Sequence, residues 1–147
     1  MFKKIFGFVL DFLFPRKCGV CNKLNDNFIC KDCLKRINVF KIYNFSEEGI
    51  WIYRYEGIVR NLIIDYKFKD KSYLCELFAN CILSDGEVCK IIKKYDIILP
   101  VPLHKKRFKE RGYNQSKLIS DILAQKLGVQ TFDDVLVKIK NILPQGK

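Results

Sequence analysis

The sequence is poor in several residue types. It has 8 Gly and 4 Pro among 147 residues, which excludes collagen-like, low-complexity and disordered classes. Histidine occurs once, at His104, and no nucleophile–base constellation accompanies it; a solvated loop residue is the simplest reading, and a general-base role would need a partner that the sequence does not identify. No apolar run is long enough to span a bilayer. The nearest candidate, residues 1–15 (MFKKIFGFVLDFLFP), is interrupted by Asp11 and followed by no small-x-small cleavage site, so neither a transmembrane segment nor a secretory signal is expected. Acidic residues are also scarce, 16 against 27 Lys and Arg, which leaves a net charge of +11. That balance permits nucleic-acid or phosphate partners without demonstrating them.

The rest of the composition is that of a folded chain: 49% hydrophobic and 29% charged, about one domain's worth of residues. The positive excess lies at the two ends. Residues 1–36 hold 8 basic and 3 acidic side chains, residues 37–96 hold 9 of each, and residues 97–147 hold 10 and 4. Solvation of a lysine-rich surface is the plain alternative to a binding role. Phe2, Ile5, Phe6, Val9, Phe12 and Leu13 recur at helical spacing, so residues 1–17 are expected to form an amphipathic helix, packed on the domain or lying on a membrane surface.

Seven cysteines are present, four of them in Cys18-x2-Cys21-x8-Cys30-x2-Cys33. Each CxxC pair can offer two thiolates to one ion from a tight turn, and two pairs complete a closed tetrahedral zinc site. Gly19 eases the first turn. A closed site of this kind is structural: it folds a module, residues 18–36, too small for a core of its own. The odd count and the paired spacing favour metal in a reducing cytoplasm over disulfides. Lys17, Lys23, Lys31, Lys35 and Arg36 around it are either solvated or phosphate contacts. Cys75, Cys81 and Cys89 read as buried thiols.

Residues 34–50 carry little pattern. Residues 51–55 (WIYRY) read as a strand, and Ile58, Leu62, Ile63 and Tyr66 as a helix. Residues 73–83 and 87–94 read as two further helices, separated by Ser84-Asp85-Gly86. Residues 95–101 (YDIILPV) read as a buried parallel strand, 102–113 as a polar basic loop, and 114–127 as a helix capped by Asn114 and stopped by Gly128. Residues 135–139 (VLVKI) alternate like a final strand. No internal repeat is present. The succession predicts an α/β domain with a parallel sheet. A rigid Pro100-Val101-Pro102 exit from the strand would then deliver Lys105, Lys106, Arg107, Lys109 and Arg111 beside a helix start, where free N–H groups and the helix dipole favour anions.

The order of these motifs resembles a known family. Phe14-Pro15, the double CxxC module, Tyr55-Glu56-Gly57 with Arg60, Tyr66-Lys67-Phe68, residues 101–103 (VPL) and residues 111–115 (RGYNQ) together are similar to the ComF family, phosphoribosyltransferase-like proteins associated with bacterial competence and DNA uptake. Residues 140–145 (KNILPQ) resemble a further segment of that family. The resemblance implies a small N-terminal zinc ribbon followed by a type I phosphoribosyltransferase-like, Rossmann-like parallel sheet domain, here incomplete, over residues 51–147. It implies structural zinc, with Mg2+ a cofactor for a full-length relative. It also implies a phosphate or phosphoribosyl pyrophosphate-type ligand, single-stranded DNA and the competence machinery as partners, and a cytoplasmic location. The phosphate and nucleic-acid contacts would be Lys105, Lys106, Arg107, Lys109, Arg111, Gly112, Asn114 and Gln115.

One family element is missing. Two adjacent acids followed by Thr-Thr-Gly, which would hold the ribose hydroxyls and the 5′-phosphate, occur nowhere in the 147 residues. Asp133-Asp134 does not supply it, since no buried strand is expected before it and VLVKI follows; a turn before a strand is the simpler reading. The resemblance therefore implies a ComF-like protein cut short, with impaired catalysis. The alternative is a non-catalytic, zinc-dependent nucleic-acid-binding accessory using Phe28, Tyr43, Phe108 and Tyr113 as stacking groups, which would otherwise pack in the core.

Overall fold

The computed structural model describes residues 17–142. The expected N-terminal helix and the final residues of the 140–145 segment lie outside that range. The described residues form two compact units that divide between Leu62 and Ile63.

In the first unit an isolated antiparallel bridge joins Lys17 to Leu24, and helix α1 spans Lys31–Asn38. A hairpin follows, with β1 at Lys41–Ser46 and β2 at Gly49–Tyr53. Its register pairs Asn44 with Trp51 and Phe45 with Ile50, and slips between Lys41 and Asn44. The strand expected at 51–55 is thus shifted toward the N-terminus, and its partner lies in the segment that showed little pattern. Helix α2, Gly57–Phe68, carries the chain across the division between the units. Cys18, Cys33, Ile37, Val59 and Leu62 are the buried apolar side chains of this unit among the described residues. Gly57 sits at φ +49 with the Phe40 ring directly against it, a position where any side chain would be both strained and crowded.

The second unit is built on helices α3 (Leu74–Leu83), α4 (Gly86–Ile92) and α6 (Gln115–Leu127). α3 packs on both α6 and α4. Tyr66, Leu74, Leu77, Ala79, Cys81, Val88, Leu123 and Ala124 form its buried core. Asp85 starts α4, its carboxylate accepting from the Val88 N–H at 3.2 Å. Of the three remaining cysteines only Cys81 is buried; Cys75 and Cys89 are half-buried.

Two corrections concern the sheet. The strand at 95–101 is reduced to β3, Ile97–Ile98, which pairs in parallel with β4, Gln130–Thr131. It is not buried: Ile97, Leu99 and Val101 are exposed. A parallel pair without helices over both faces lacks the burial that such strands ordinarily rely on. Residues 135–139 form no strand, and Val135, Leu136, Val137 and Ile139 are exposed, because alternation without a neighbouring strand satisfies no backbone groups. Asp133-Asp134, expected as a turn before a strand, lies in a bend one residue after β4 with no strand following it.

A third correction concerns residues 102–113. They include a two-turn helix, α5, over Lys105–Arg111. His104 caps it, Nδ1 accepting from the Lys106 N–H at 3.3 Å, and Gly112 ends it at φ +79. His104 is therefore a capping residue and not a free loop imidazole.

Candidate functional site

The cysteine module is held by turns. The Cys18 N–H donates to the Lys23 carbonyl and the Gly19 N–H to the Phe28 carbonyl, each at 2.8 Å, while Asn22 takes a positive φ of 59. Cys30 stands at the N-cap of α1 and Cys33 in its first turn, so helix formation brings the second pair together. The four Sγ atoms lie within 4.8 Å of one another, and those of Cys21 and Cys30 are 3.8 Å apart. In a tetrahedral thiolate site with metal–sulfur bonds of about 2.3 Å, neighbouring sulfurs stand about 3.8 Å apart. The residues present fit a single ion.

Electrostatics point the same way. Burial pushes the Cys18 thiol up, but N–H groups of Cys21, Cys30 and Val20 turned toward its sulfur outweigh this and bring it down to about 6. Cys33 is raised, first by burial and then by the sulfurs of Cys30, Cys21 and Cys18. One thiolate forms readily, and the sulfurs crowded around it resist further charge unless a cation compensates. The four cysteines picked out by spacing are thus brought together as one metal site.

In the second unit, residues 99–115 link β3 to α6. Asn114 caps α6, its Oδ1 accepting from the N–H groups of Ser116 at 3.0 Å and Lys117 at 3.4 Å. Its Nδ2 donates to the Val101 carbonyl at 3.1 Å, which ties the strand exit to the helix start. The cap therefore occupies N–H groups that were expected to be free for an anion. Gln115 begins α6 with a buried side chain, and its Nε2 meets no hydrogen-bond partner among the described residues.

Two motif segments that are far apart in sequence are clasped together here. The Tyr113 hydroxyl donates to the Tyr66 carbonyl at 2.6 Å, and the Tyr66 hydroxyl donates to the Gln115 carbonyl at 2.9 Å. The rings of Tyr66 and Tyr113 lie 5.9 Å apart, and the Arg111 guanidinium sits 5.3 Å from the Phe68 ring centroid. Residues 66–68 and 111–115 thus form one interlocked unit. Burial pushes the Tyr66 hydroxyl well above the ordinary phenol range, and burial also lowers Arg111.

The cations of α5 do not converge. At 3.6 residues per turn, Lys105, Lys106 and Lys109 share one face, with Arg107 and Arg111 on another. Arg107 pairs with Glu110 at 3.4 Å, and Arg111 is stacked on Phe68. The three lysines are exposed, as is Phe108. A concavity bordered by Lys93, Tyr95, Asp96 and Gln130 opens where β3 and β4 begin, at the opposite strand ends from residues 99–115. The Tyr66 hydroxyl and its partner carbonyl were not legible beforehand, since a pairing between residues 49 positions apart leaves no periodic signal.

The structure defines the class as a mixed α/β protein with small sheets and a cluster of four cysteines able to hold a metal ion. Among the described residues no helix is long and apolar enough to cross a membrane. No family model and no solved structure matches the chain. Two curated proteins do. Competence protein F of Haemophilus influenzae is 25% identical over 133 residues, which cover 87% of this chain and 56% of that protein. Competence protein ComFC of Bacillus subtilis is 24% identical over 108 residues, or 72% of this chain and 44% of that protein. The chain therefore spans about half the length of the curated relatives it matches. These homologues bear out the resemblance to the ComF family.

Proposed function

We propose that the chain is a competence-related protein of ComF type. A structural zinc ion would be held by Cys18, Cys21, Cys30 and Cys33, and a phosphate-bearing ligand would bind at residues 99–115, in a second unit of phosphoribosyltransferase-like type. The all-thiolate donor set favours zinc among the common divalent ions. The observation that carries the ligand reading is the clasp. Tyr66 and Tyr113 fix the strand exit and the start of α6 next to Gln115, whose buried Nε2 is a donor without an acceptor among the described residues. A phosphate or ribose oxygen would satisfy it. Parallel pairing of β3 with β4 across α5 and α6 agrees with such a fold, since ligands of open α/β sheets bind outside the carboxyl ends of the strands.

A second reading is favoured by a specific observation. With the α6 cap occupied by Asn114 and both arginines engaged, the cations left exposed on α5 are Lys105, Lys106 and Lys109, beside exposed Phe108 and with the exposed Glu110 paired to Arg107. Three cations and an aromatic ring suit a single-stranded polyanion with bases better than a compact phosphate. The chain would then bind single-stranded DNA as a non-catalytic partner of the uptake machinery. Calorimetric titration of the zinc-loaded chain with phosphoribosyl pyrophosphate and Mg2+, alongside a single-stranded oligonucleotide, separates the two. Saturable phosphoribosyl pyrophosphate binding that Gln115→Leu abolishes supports the first. Oligonucleotide binding alone supports the second, and binding of neither ligand overturns both.

A further inference from the structure

The β1–β2 hairpin carries aromatic side chains that its own unit does not bury. Tyr43 is 59% exposed and Phe45 46%. Their rings are parallel to within 2° with centroids 6.5 Å apart, and the Lys41 ammonium lies 5.1 Å from the Tyr43 centroid. Tyr43 and Phe45 are alternate residues on one strand, and Lys41 places its ammonium over the Tyr43 ring. Alternate residues on a strand repeat every 6.8 Å or so. Nucleotides in a stacked strand repeat every 3.4 Å or so, half that distance. The 6.5 Å between the parallel Tyr43 and Phe45 rings is close to two such steps, so one base can lie between them. The two rings are parallel and stacked, with the Lys41 ammonium over Tyr43, and both side chains remain exposed.

We propose that this face of the hairpin is a stacking platform for single-stranded nucleic acid, separate from α5; the proposal rests on the nucleic-acid reading above. Charge agrees with it. The described part of the first unit carries more basic than acidic side chains, with Lys35 and Arg36 exposed in the last turn of α1 and the Arg54 N–H bonded to the Phe40 carbonyl next to Lys41. Glu47 and Glu48 occupy the turn at the far end, so the phosphates run toward the Lys41 end and away from the tip. Stacking of this kind tolerates any base sequence, because every base has a π face. The directly opposed pair Asn44 and Trp51 belongs to the other face and takes no part.

The test is fluorescence anisotropy with the full metal-loaded chain. The probes are a labelled oligothymidylate of about 12 nucleotides, a usual site size, and an abasic strand of equal charge. Tyr43→Leu and Phe45→Leu keep apolar bulk and remove the ring; each is expected to weaken oligothymidylate binding about fivefold or more while leaving abasic-strand binding unchanged. Tyr43→Phe should bind like the parent, and Glu47→Gln with Glu48→Gln should bind more tightly. Circular dichroism and metal content confirm that each variant is folded. Equal affinity for both probes, with no effect of the leucine variants, overturns the stacking platform and leaves the α5 reading intact. Failure of the parent chain to bind either strand at low salt overturns the nucleic-acid reading and this proposal with it.

Discussion

Removal of the metal should unfold the first unit and spare the second. Among its described residues, that unit buries three aliphatic side chains, Ile37, Val59 and Leu62. At about 1.5–3 kcal/mol each they contribute at most about 9 kcal/mol before conformational entropy is charged against them. A four-thiolate zinc site contributes an apparent ~10–16 kcal/mol at neutral pH. A bound ion would therefore stabilise this unit more than its apolar core does, with Cys18 and Cys33, both buried, at the centre of what it organises. Among its described residues, the second unit has eight buried apolar side chains and contributes none of the four clustered cysteines. Trp51, the chain's one tryptophan, lies on β2 of the first unit and reports on it alone. Chelation under reducing conditions should raise acrylamide quenching of Trp51 and abolish slow hydrogen exchange in residues 17–62, while amides of α3 and α6 stay protected. Cys33→Ser should bind zinc at least about 100-fold more weakly, given the share of the site's free energy that one of four ligands supplies. An unaltered Trp51 signal after complete metal removal, or full metal content in Cys33→Ser, would refute this reasoning.

Other consequences can be checked separately. Tyr66→Phe removes the buried hydroxyl bonded to the Gln115 carbonyl and should cost ~1–2 kcal/mol in denaturant titration, with faster exchange at residues 111–116 than elsewhere. Gly57→Ala meets the Phe40 ring within 2.5 Å at φ +49, whereas Gly112→Ala at φ +79 meets open space; the first should destabilise by ~2–4 kcal/mol and the second by ~1–2, and equal losses would remove the packing argument. Side-chain hydrogen bonds from Lys69 and Lys71 hold the Asp65 carboxylate below its usual range. Its contribution is present above the ordinary carboxylate pKa and is lost as pH falls through the lowered value, so Asp65→Asn should be the less stable protein at neutral pH and converge with the parent in acid.

Local signals in the sequence carried much of the fold. Asn114 and Gly128 bracket α6 as a cap and a left-handed stop should, and apolar spacing located α2 and α3. The hairpin escaped because β1 exposes four of its six residues and its turn, Glu47-Glu48, lacks an Asn-Gly or Asp-Gly signal. α5 escaped because a run of charges has no apolar period; His104 at its start and Gly112 after its end were the available cues. Residues 135–139 show the opposite failure, a correct alternation with no strand beside it to pair. At the sites, the CxxC spacing alone located the four cysteines that come together, since a tight turn leaves few other geometries. The cap role of Asn114 was legible, but its tie to the Val101 carbonyl and the Tyr66 hydroxyl bond to the Gln115 carbonyl are encoded by no local pattern.

The most direct test of the functional account is the salt dependence of single-stranded DNA binding, compared between the parent chain and Lys105→Gln/Lys106→Gln/Lys109→Gln. Each phosphate contact on a single strand contributes about 0.7 to the slope of log affinity against log salt, so loss of three should reduce its magnitude by about 2. That result would assign the polyanion to the lysine face of α5. An unchanged slope, with binding otherwise intact, would contradict the claim.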